Sequence, residues 1–207
     1  MIITKIEQQK KKKNYYSVFL DDKYGFSVSD ENLIKFKLRE DLEINEDIIE
    51  DINGEEIKQK AINSVWRLLS IRSRSRKELT ERLKRKKFSD SVIDGALLRA
   101  QELGYINDAK FAQERYNYLR EKGKGPMLIK MELKKYGIEK EVIEEIFTKS
   151  NFSNEDEIEQ IANIAKIKLK KFAKKDPGKN KMNLLGFLSR RGFTIENIKE
   201  AFKKIKI

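Results

Sequence analysis

Apolar residues in the later part of the chain recur with a long period. Leu79, Leu83, Phe88, Ile93 and Leu97 are spaced by 4, 5, 5 and 4 residues, and Ile129, Leu133, Ile138, Ile143 and Phe147 repeat that spacing. Leu184, Leu188, Phe193, Ile198 and Phe202 repeat it a third time. Steps of four keep apolar side chains on one face of a helix, whereas a step of five crosses a break between two helices. Each copy therefore predicts a helix, a tight turn and a second helix. Gly137 and Gly192 suit a left-handed helix end followed by an apolar residue. Lys87 stands in their place in the first copy, which predicts a turn formed differently.

Local signals place the helix starts. Ser75 and Glu78 fit a capping box, and Ser89 and Thr194 are N-cap candidates inside hydrophobic staples formed by Phe88 with Ile93 and by Phe193 with Ile198. Glu139 is a weaker cap in the second copy. Upstream of each pair lies a third amphipathic segment: Val65, Leu68 and Leu69; then Phe111, Ala112, Tyr116 and Leu119; then Ile158, Ile161, Ile164, Ala165 and Leu169. The expected fold is mainly α, with tandem three-helix repeats stacking into an elongated, curved array. The last interval is 55 residues against 50 for the one before it, and the extra length is assigned to a loop at residues 174–181 containing Asp176-Pro177-Gly178.

The first 60 residues have a different period. Residues 2–9, 15–21 and 24–28 are rich in aromatic and β-branched types and predict a small antiparallel β-ribbon. Ser29 or Asp30 is suited to cap a helix running through Phe36, and Asn45 another through Ile52. The expected organisation is an N-terminal β-ribbon and helix module at 1–58, with three-helix repeats at 59–106, 107–152 and 153–207.

Composition narrows the chemistry. The 207 residues include no cysteine and no histidine, which removes disulfides, thiolate and imidazole metal ligands, cysteine nucleophiles and imidazole bases. A hydrophobic fraction of 39% with only 2 prolines supports packed cores rather than a disordered chain. The first residues enter a lysine cluster, and no apolar run approaches the ~18 residues of a membrane span, so a cytoplasmic protein without a membrane partner is expected.

The net charge of +12 is uneven: residues 1–60 carry −3, residues 61–152 carry +8 and residues 153–207 carry +7. Residues 67–87 hold ten Lys or Arg against Glu78 and Glu81. Most cations are lysines of the kind that solvate any helix, but six of the twelve arginines gather between Arg67 and Arg85. Their planar forks suit phosphate or carboxylate.

Other chemistry finds little support. Gly123-Lys124-Gly125-Pro126 lacks the phosphate-loop pattern and fits a helix junction with Pro126 near N1. Asp21-Asp22 and Glu144-Glu145 fit a turn and a solvated face. Trp66 is assigned to packing, and Tyr105, Tyr116, Tyr118 and Tyr136 to core positions or stacking faces. In a helix-turn-helix reader the second helix of each pair would enter the major groove, yet residues 89–103 carry Arg99 against Asp90, Asp94 and Glu102, and residues 139–149 carry four glutamates against two lysines. The cations lie on the preceding helices and their ends. The candidate anion-binding track is Arg72, Arg74, Arg76, Arg82, Lys84, Arg85, Lys86 and Lys87, then Lys124, Lys130, Lys134 and Lys135, then Lys181, Arg190 and Arg191. Part of this pattern is also expected from the helix dipole, which favours cations in a last turn.

Arg72-x-Arg74-Ser75-x-x-Glu78-Leu79, then Leu103-Gly104-Tyr105-Ile106-Asn107-Asp108-x-x-Phe111-Ala112, then Arg120, Gly125, Ile129, Leu133 and Gly137-Ile138 together resemble the RecX family, regulators of the bacterial recombinase RecA. Each motif alone is weak; their order and spacing are specific. Asn107 stands where aspartate is common, and Tyr136 where lysine is frequent. The resemblance implies a non-enzymatic helical-repeat protein, monomeric and without cofactor or metal. It implies binding along the groove of the RecA filament on single-stranded DNA, limiting ATP hydrolysis, strand exchange and filament growth. A general nucleic-acid binder coating phosphate through the basic track is the alternative.

Overall fold

The computed structural model describes residues 1–150, 153–170 and 177–207. Three strands open the chain: β1 (Ile3–Gln8), β2 (Tyr15–Leu20) and β3 (Lys23–Ser29), forming one antiparallel sheet in the order β1-β2-β3. Asp21 and Asp22 link β2 to β3 with φ of 48° and 65°, as a two-residue hairpin requires. Helix α1 (Asp30–Lys35) follows, capped by Ser29, and α2 (Glu46–Leu69) is capped by Asn45. Ile3, Val18, Leu20, Phe26, Val28, Leu38, Ile44 and Ile52 form the core of this region.

The helix expected to end near Ile52 instead runs 24 residues to Leu69. Two apolar surfaces claim it: Ile52 enters the sheet core, and the buried Ala61 and Val65 lie further along, where α2 packs with α4. Nothing local stops the helix between these two points, so the position after residue 58 lies within it.

The remaining helices are α3 (Arg76–Arg85), α4 (Asp90–Glu102), α5 (Asp108–Glu121), α6 (Pro126–Lys135), α7 (Lys140–Lys149), α8 (Asn154–Lys170), α9 (Pro177–Arg190) and α10 (Ile195–Lys204). Of the fifteen residues in the spacing pattern, Phe88 and Phe147 are partly exposed and the others buried. Phe111, Tyr116, Ile129, Leu133, Ile138 and Ile143 share one core; Ile161, Leu184, Leu188, Phe193, Ile198 and Phe202 share another. The connection expected at 174–181 falls partly outside the described residues, and from Pro177 onward the chain is already helical.

By contacts the chain divides into one compact unit of residues 1–72 and 79–105 and another of 73–78 and 106–207. Within the second unit, helix starts dock on helix-pair turns. At the start of α6, Gly125 N–H donates to the Arg191 carbonyl (2.7 Å) and Met127 N–H to the Gly192 carbonyl (3.1 Å). A Cβ at Gly192 would lie 2.4 Å from Leu128 N and Cβ. A similar close approach, by a side chain, occurs where Lys77, in the first turn of α3, sits against Gly137, at which an added Cβ would be 2.8 Å from Lys77 Cβ. Each glycine thus ends a helix and admits the start of another.

The first-copy turn differs from its expectation. Lys87 takes φ 65° and closes the turn as the glycines do. Its N–H donates to the Lys84 carbonyl (2.9 Å), and Phe88 N–H reaches the Leu83 carbonyl (3.5 Å). Gly137 with Ile138, and Gly192 with Phe193, make the corresponding pairs, the Schellman pattern. Lys87 is exposed, so its side chain has room, but its backbone carries the left-handed penalty of about 1–2 kcal/mol. Lys87→Gly should therefore stabilise the chain, by about 0.5–1 kcal/mol after the entropy cost of glycine, measured by urea denaturation. A destabilised variant would contradict this account of the turn.

Candidate nucleic-acid interface

Three helices of about ten to fourteen residues, α3, α6 and α9, end in cations, and each buries two apolar residues four apart. Counting from the second of these, Leu83, Leu133 and Leu188, the position two residues on is Arg85, Lys135 and Arg190, and all three are exposed. Burial of the leucine at one side of the last turn fixes this position toward solvent at the other. The repeat therefore presents one cation per copy at an equivalent place, next to helix carbonyls that favour positive charge.

The next position is used differently. Lys86 Nζ donates to Ser64 Oγ (2.9 Å). Arg191 turns back on the chain, donating from Nη1 to the carbonyls of Lys122 (3.1 Å) and Gly123 (3.0 Å) with its guanidinium over Phe187. Tyr136 packs edge-on against Phe111, with the Arg115 guanidinium over its ring. Arg115 in turn donates to Glu132 (2.5 Å). The position before the turn thus anchors the repeat.

The arginines before α3 are also divided in role. Arg74 is 6% exposed and paired with Glu78, so its charge is turned inward instead of toward a partner. Ser75 Oγ accepts from Glu78 N–H (3.2 Å), the first half of the expected capping box, while Asp108 Oδ1 accepts from Arg76 N–H (2.8 Å). Burial holds the Asp108 carboxyl above its ordinary value, against the lowering effect of that bond. Asn107 caps its own helix by accepting from Lys110 N–H. Several residues of the family motif therefore hold the start of α3. Arg72 and Arg82 are exposed, and Arg76 is half-buried.

Other track members meet acidic neighbours. Lys84 pairs with Asp90 (2.9 Å), and this hydrogen bond raises the lysine above its usual value. Lys130 pairs with Glu144 (2.8 Å) and lies over Phe147. Such pairs are exposed enough for an anionic partner to replace the carboxylate at small cost. Lys87, Lys134 and Lys181 are exposed, and Lys124 is half-buried in the turn before α6. Among the tyrosines, Tyr116 is core, whereas Tyr118 and Tyr105 are 48% and 62% exposed. Trp66 is partly buried and packs edge-on against Tyr105, with ring centroids 4.9 Å apart. Arg67 opens the arginine-rich stretch but was left off the candidate track; it is exposed in the last turn of α2. Among the described residues no acidic cluster suited to a metal occurs, and no helix is long and apolar enough to cross a membrane.

Comparison with known proteins gives a consistent picture. Residues 1–45 match the family model described as the regulatory protein RecX N-terminal domain. Residues 61–99 match the first RecX three-helix domain and residues 107–146 the second. The chain is 37% identical over 206 residues to regulatory protein RecX of Bacillus subtilis, covering 99% of this chain and 77% of that protein. It is 32% identical over 203 residues to regulatory protein RecX of Listeria welshimeri, covering 97% and 74%. A crystal structure of regulatory protein RecX superposes with a TM-score of 0.72 at 25% identity, covering 96% of this chain and 98% of the other.

Proposed function

Since the chain belongs to the RecX family of regulatory proteins, we propose that it regulates the RecA recombinase by lying along the groove of the RecA filament on single-stranded DNA. There it limits ATP hydrolysis, strand exchange and filament growth. It acts by binding alone, as a cytoplasmic monomer, with no bond made or broken by its own side chains. The observation that carries this reading is the exposed cation recurring at one repeat position as Arg85, Lys135 and Arg190. A cation repeated once per copy suits a partner that repeats its phosphates, and modest contacts along one partner sum through effective concentration.

ATP hydrolysis by RecA on single-stranded DNA should fall when this protein is added at or below stoichiometric amounts, and imaging should show shorter or groove-filled filaments. The triple variant Arg85→Glu, Lys135→Glu, Arg190→Glu should lose most of that inhibition. Its binding to single-stranded DNA should show a salt slope smaller by about 2, from the three lost phosphate contacts. Absence of any wild-type effect on RecA at low salt would sink the proposal. A second reading, a general nucleic-acid binder, draws on the same cations; it predicts DNA binding with no change in RecA hydrolysis beyond competition for the strand.

A further inference from the structure

We infer that the turn joining β1 to β2 is an arm of the first unit that holds the phosphate backbone of nucleic acid through Lys10, Lys11, Lys12 and Lys13. The inference rests on the filament reading and deepens it, adding a contact outside the candidate track, which begins at Arg72.

Four consecutive lysines stand in a region that is otherwise acidic. Residues 1–60 carry eleven cations against fourteen carboxylates, and four of the eleven fall in this one turn. A lysine at a sheet edge keeps that edge from pairing with another chain, but these four lie past the last β1–β2 pair, Gln8 with Tyr16. The turn that carries them is fixed. Tyr15 N–H donates to the Lys12 carbonyl (3.0 Å), Gln9 N–H to the Tyr15 carbonyl (2.8 Å) and Gln8 Nε2 to the Lys13 carbonyl (2.6 Å). Asp30 N–H donates to the Asn14 carbonyl (3.1 Å), tying the turn to the start of α1. The Lys12 amine rests over the Tyr15 ring, 5.1 Å from its centroid. Backbone held in this way loses little freedom when a ligand arrives.

The amines are left open. All four lysines are exposed, and among the described residues none of them forms an ion pair, whereas Lys5, Lys35 and Lys58 of the same region pair with glutamates. Their Cα atoms span at most about 11 Å of chain, close to the Debye length of about 8 Å at physiological salt, so the four charges repel one another. Anions set among them relieve that repulsion. A lone carboxylate supplies one charge, but a nucleic-acid strand supplies a phosphate about every 3.4 Å, about three over the length of the turn. Lysine meets phosphate as a point charge, so the arm takes backbone of any sequence. Helix α2 also relates this turn to the cations at the end of α3. Tyr15 pairs with Ser29 in the sheet, Ser29 N–H donates to Glu56 of α2 (2.7 Å), and Lys86 donates to Ser64 of the same helix (2.9 Å). Positions 56 and 64 are about 12 Å apart along α2 and less than a quarter turn around it, so one helix carries both cation groups from nearby attachment points.

The full chain is titrated by fluorescence anisotropy against a labelled single strand and a duplex of equal length, at several salt concentrations and without RecA. The variant Lys10→Gln, Lys11→Gln, Lys12→Gln, Lys13→Gln, checked for unchanged thermal unfolding, should bind at least one of them about tenfold more weakly at low salt. Its slope of log affinity against log salt should fall by about 3, from four lost phosphate contacts, and the nucleic acid that shows the fall is the one the arm holds. The same four positions changed to Arg should keep wild-type binding. Changing four exposed cations elsewhere in the region, Lys23, Lys37, Arg39 and Lys60, to Gln removes the same charge and should shift the slope by less than about 1. Unchanged affinity of the turn variant for both nucleic acids overturns the arm. So does an equal loss in the control set, since the effect is then one of net charge. A turn variant that binds both normally but inhibits RecA less also overturns it, because the occupant is then an acidic protein surface. Weakened binding by the turn variant, in a protein whose wild type leaves RecA hydrolysis untouched, would instead overturn the filament reading and leave the arm standing.

Discussion

Gly192→Ala should be among the most damaging single-methyl changes in the chain, costing about 3–5 kcal/mol in urea denaturation. Two penalties coincide. The residue sits at φ 89°, where any Cβ costs about 1–2 kcal/mol. That Cβ would also lie 2.4 Å from Leu128 N and Cβ, and a backbone nitrogen at the start of α6 cannot yield without breaking the Met127 and Gly125 hydrogen bonds. Gly137→Ala meets the Lys77 side chain instead, and should cost about 2 kcal/mol. With Lys87→Gly expected to stabilise, one repeat position yields three graded results. Gly192→Ala within about 1 kcal/mol of the parent, or milder than Gly137→Ala, would refute the docking of α6 on the α9–α10 turn.

Glu56→Ala should produce the other large loss, about 3 kcal/mol, focused on the N-terminal region. Glu56 is 2% exposed. Its Oε1 accepts from Ser29 N–H (2.7 Å), Ser29 Oγ (2.6 Å) and Asn32 Nδ2 (2.8 Å). Alanine leaves those three donors buried without their acceptor, so the start of α1 loses its attachment to α2. Glu56 also makes stability depend on pH. Burial by itself would raise its carboxyl, but the bonds from Ser29 and Asn32 outweigh burial and hold it below the ordinary glutamate value. Because the folded pKa lies below the unfolded one, the unfolded chain binds the proton first on acidification. The contribution of Glu56 is thus complete above the unfolded value and is lost as pH falls toward the folded one. The parent should lose stability more steeply than Glu56→Ala across that acidic window in denaturant titrations at several pH values. Parallel pH profiles would show that the carboxylate is not held this way.

Both predictions concern features that reading the chain left out. Glycine at 137 and 192 was legible as a helix stop, because the left-handed ending is a local property of one residue and its neighbours. Its second use, admitting another helix, depends on residues about 60 positions away in each case and leaves no periodic trace. Lys87 shows the converse: residue type suggested a different turn, but the hydrogen bonds closing it are backbone bonds, and the spacing of Leu83 and Phe88 demands the same geometry from whatever residue stands there.

The candidate interface divides along the same line. That cations crowd the ends of α3, α6 and α9 was visible, since helix ends and charge are both local. Which of them face outward was not. Arg74 and Arg85 have identical chemistry, yet one is buried against Glu78 and the other is exposed. Trp66 and Tyr105 are 39 positions apart and meet only because α2 packs on α4.

By itself, the sequence determined the threefold helix pair, the N-terminal sheet and the location of positive charge, because burial periodicity, turn chemistry and charge are properties of short windows. Only the tertiary structure decided that one helix serves both the sheet core and the first repeat, that glycines seat neighbouring helices, and which charged and aromatic side chains are presented. Those outcomes depend on which distant surfaces exclude water from a side chain, and a linear pattern does not contain that distance.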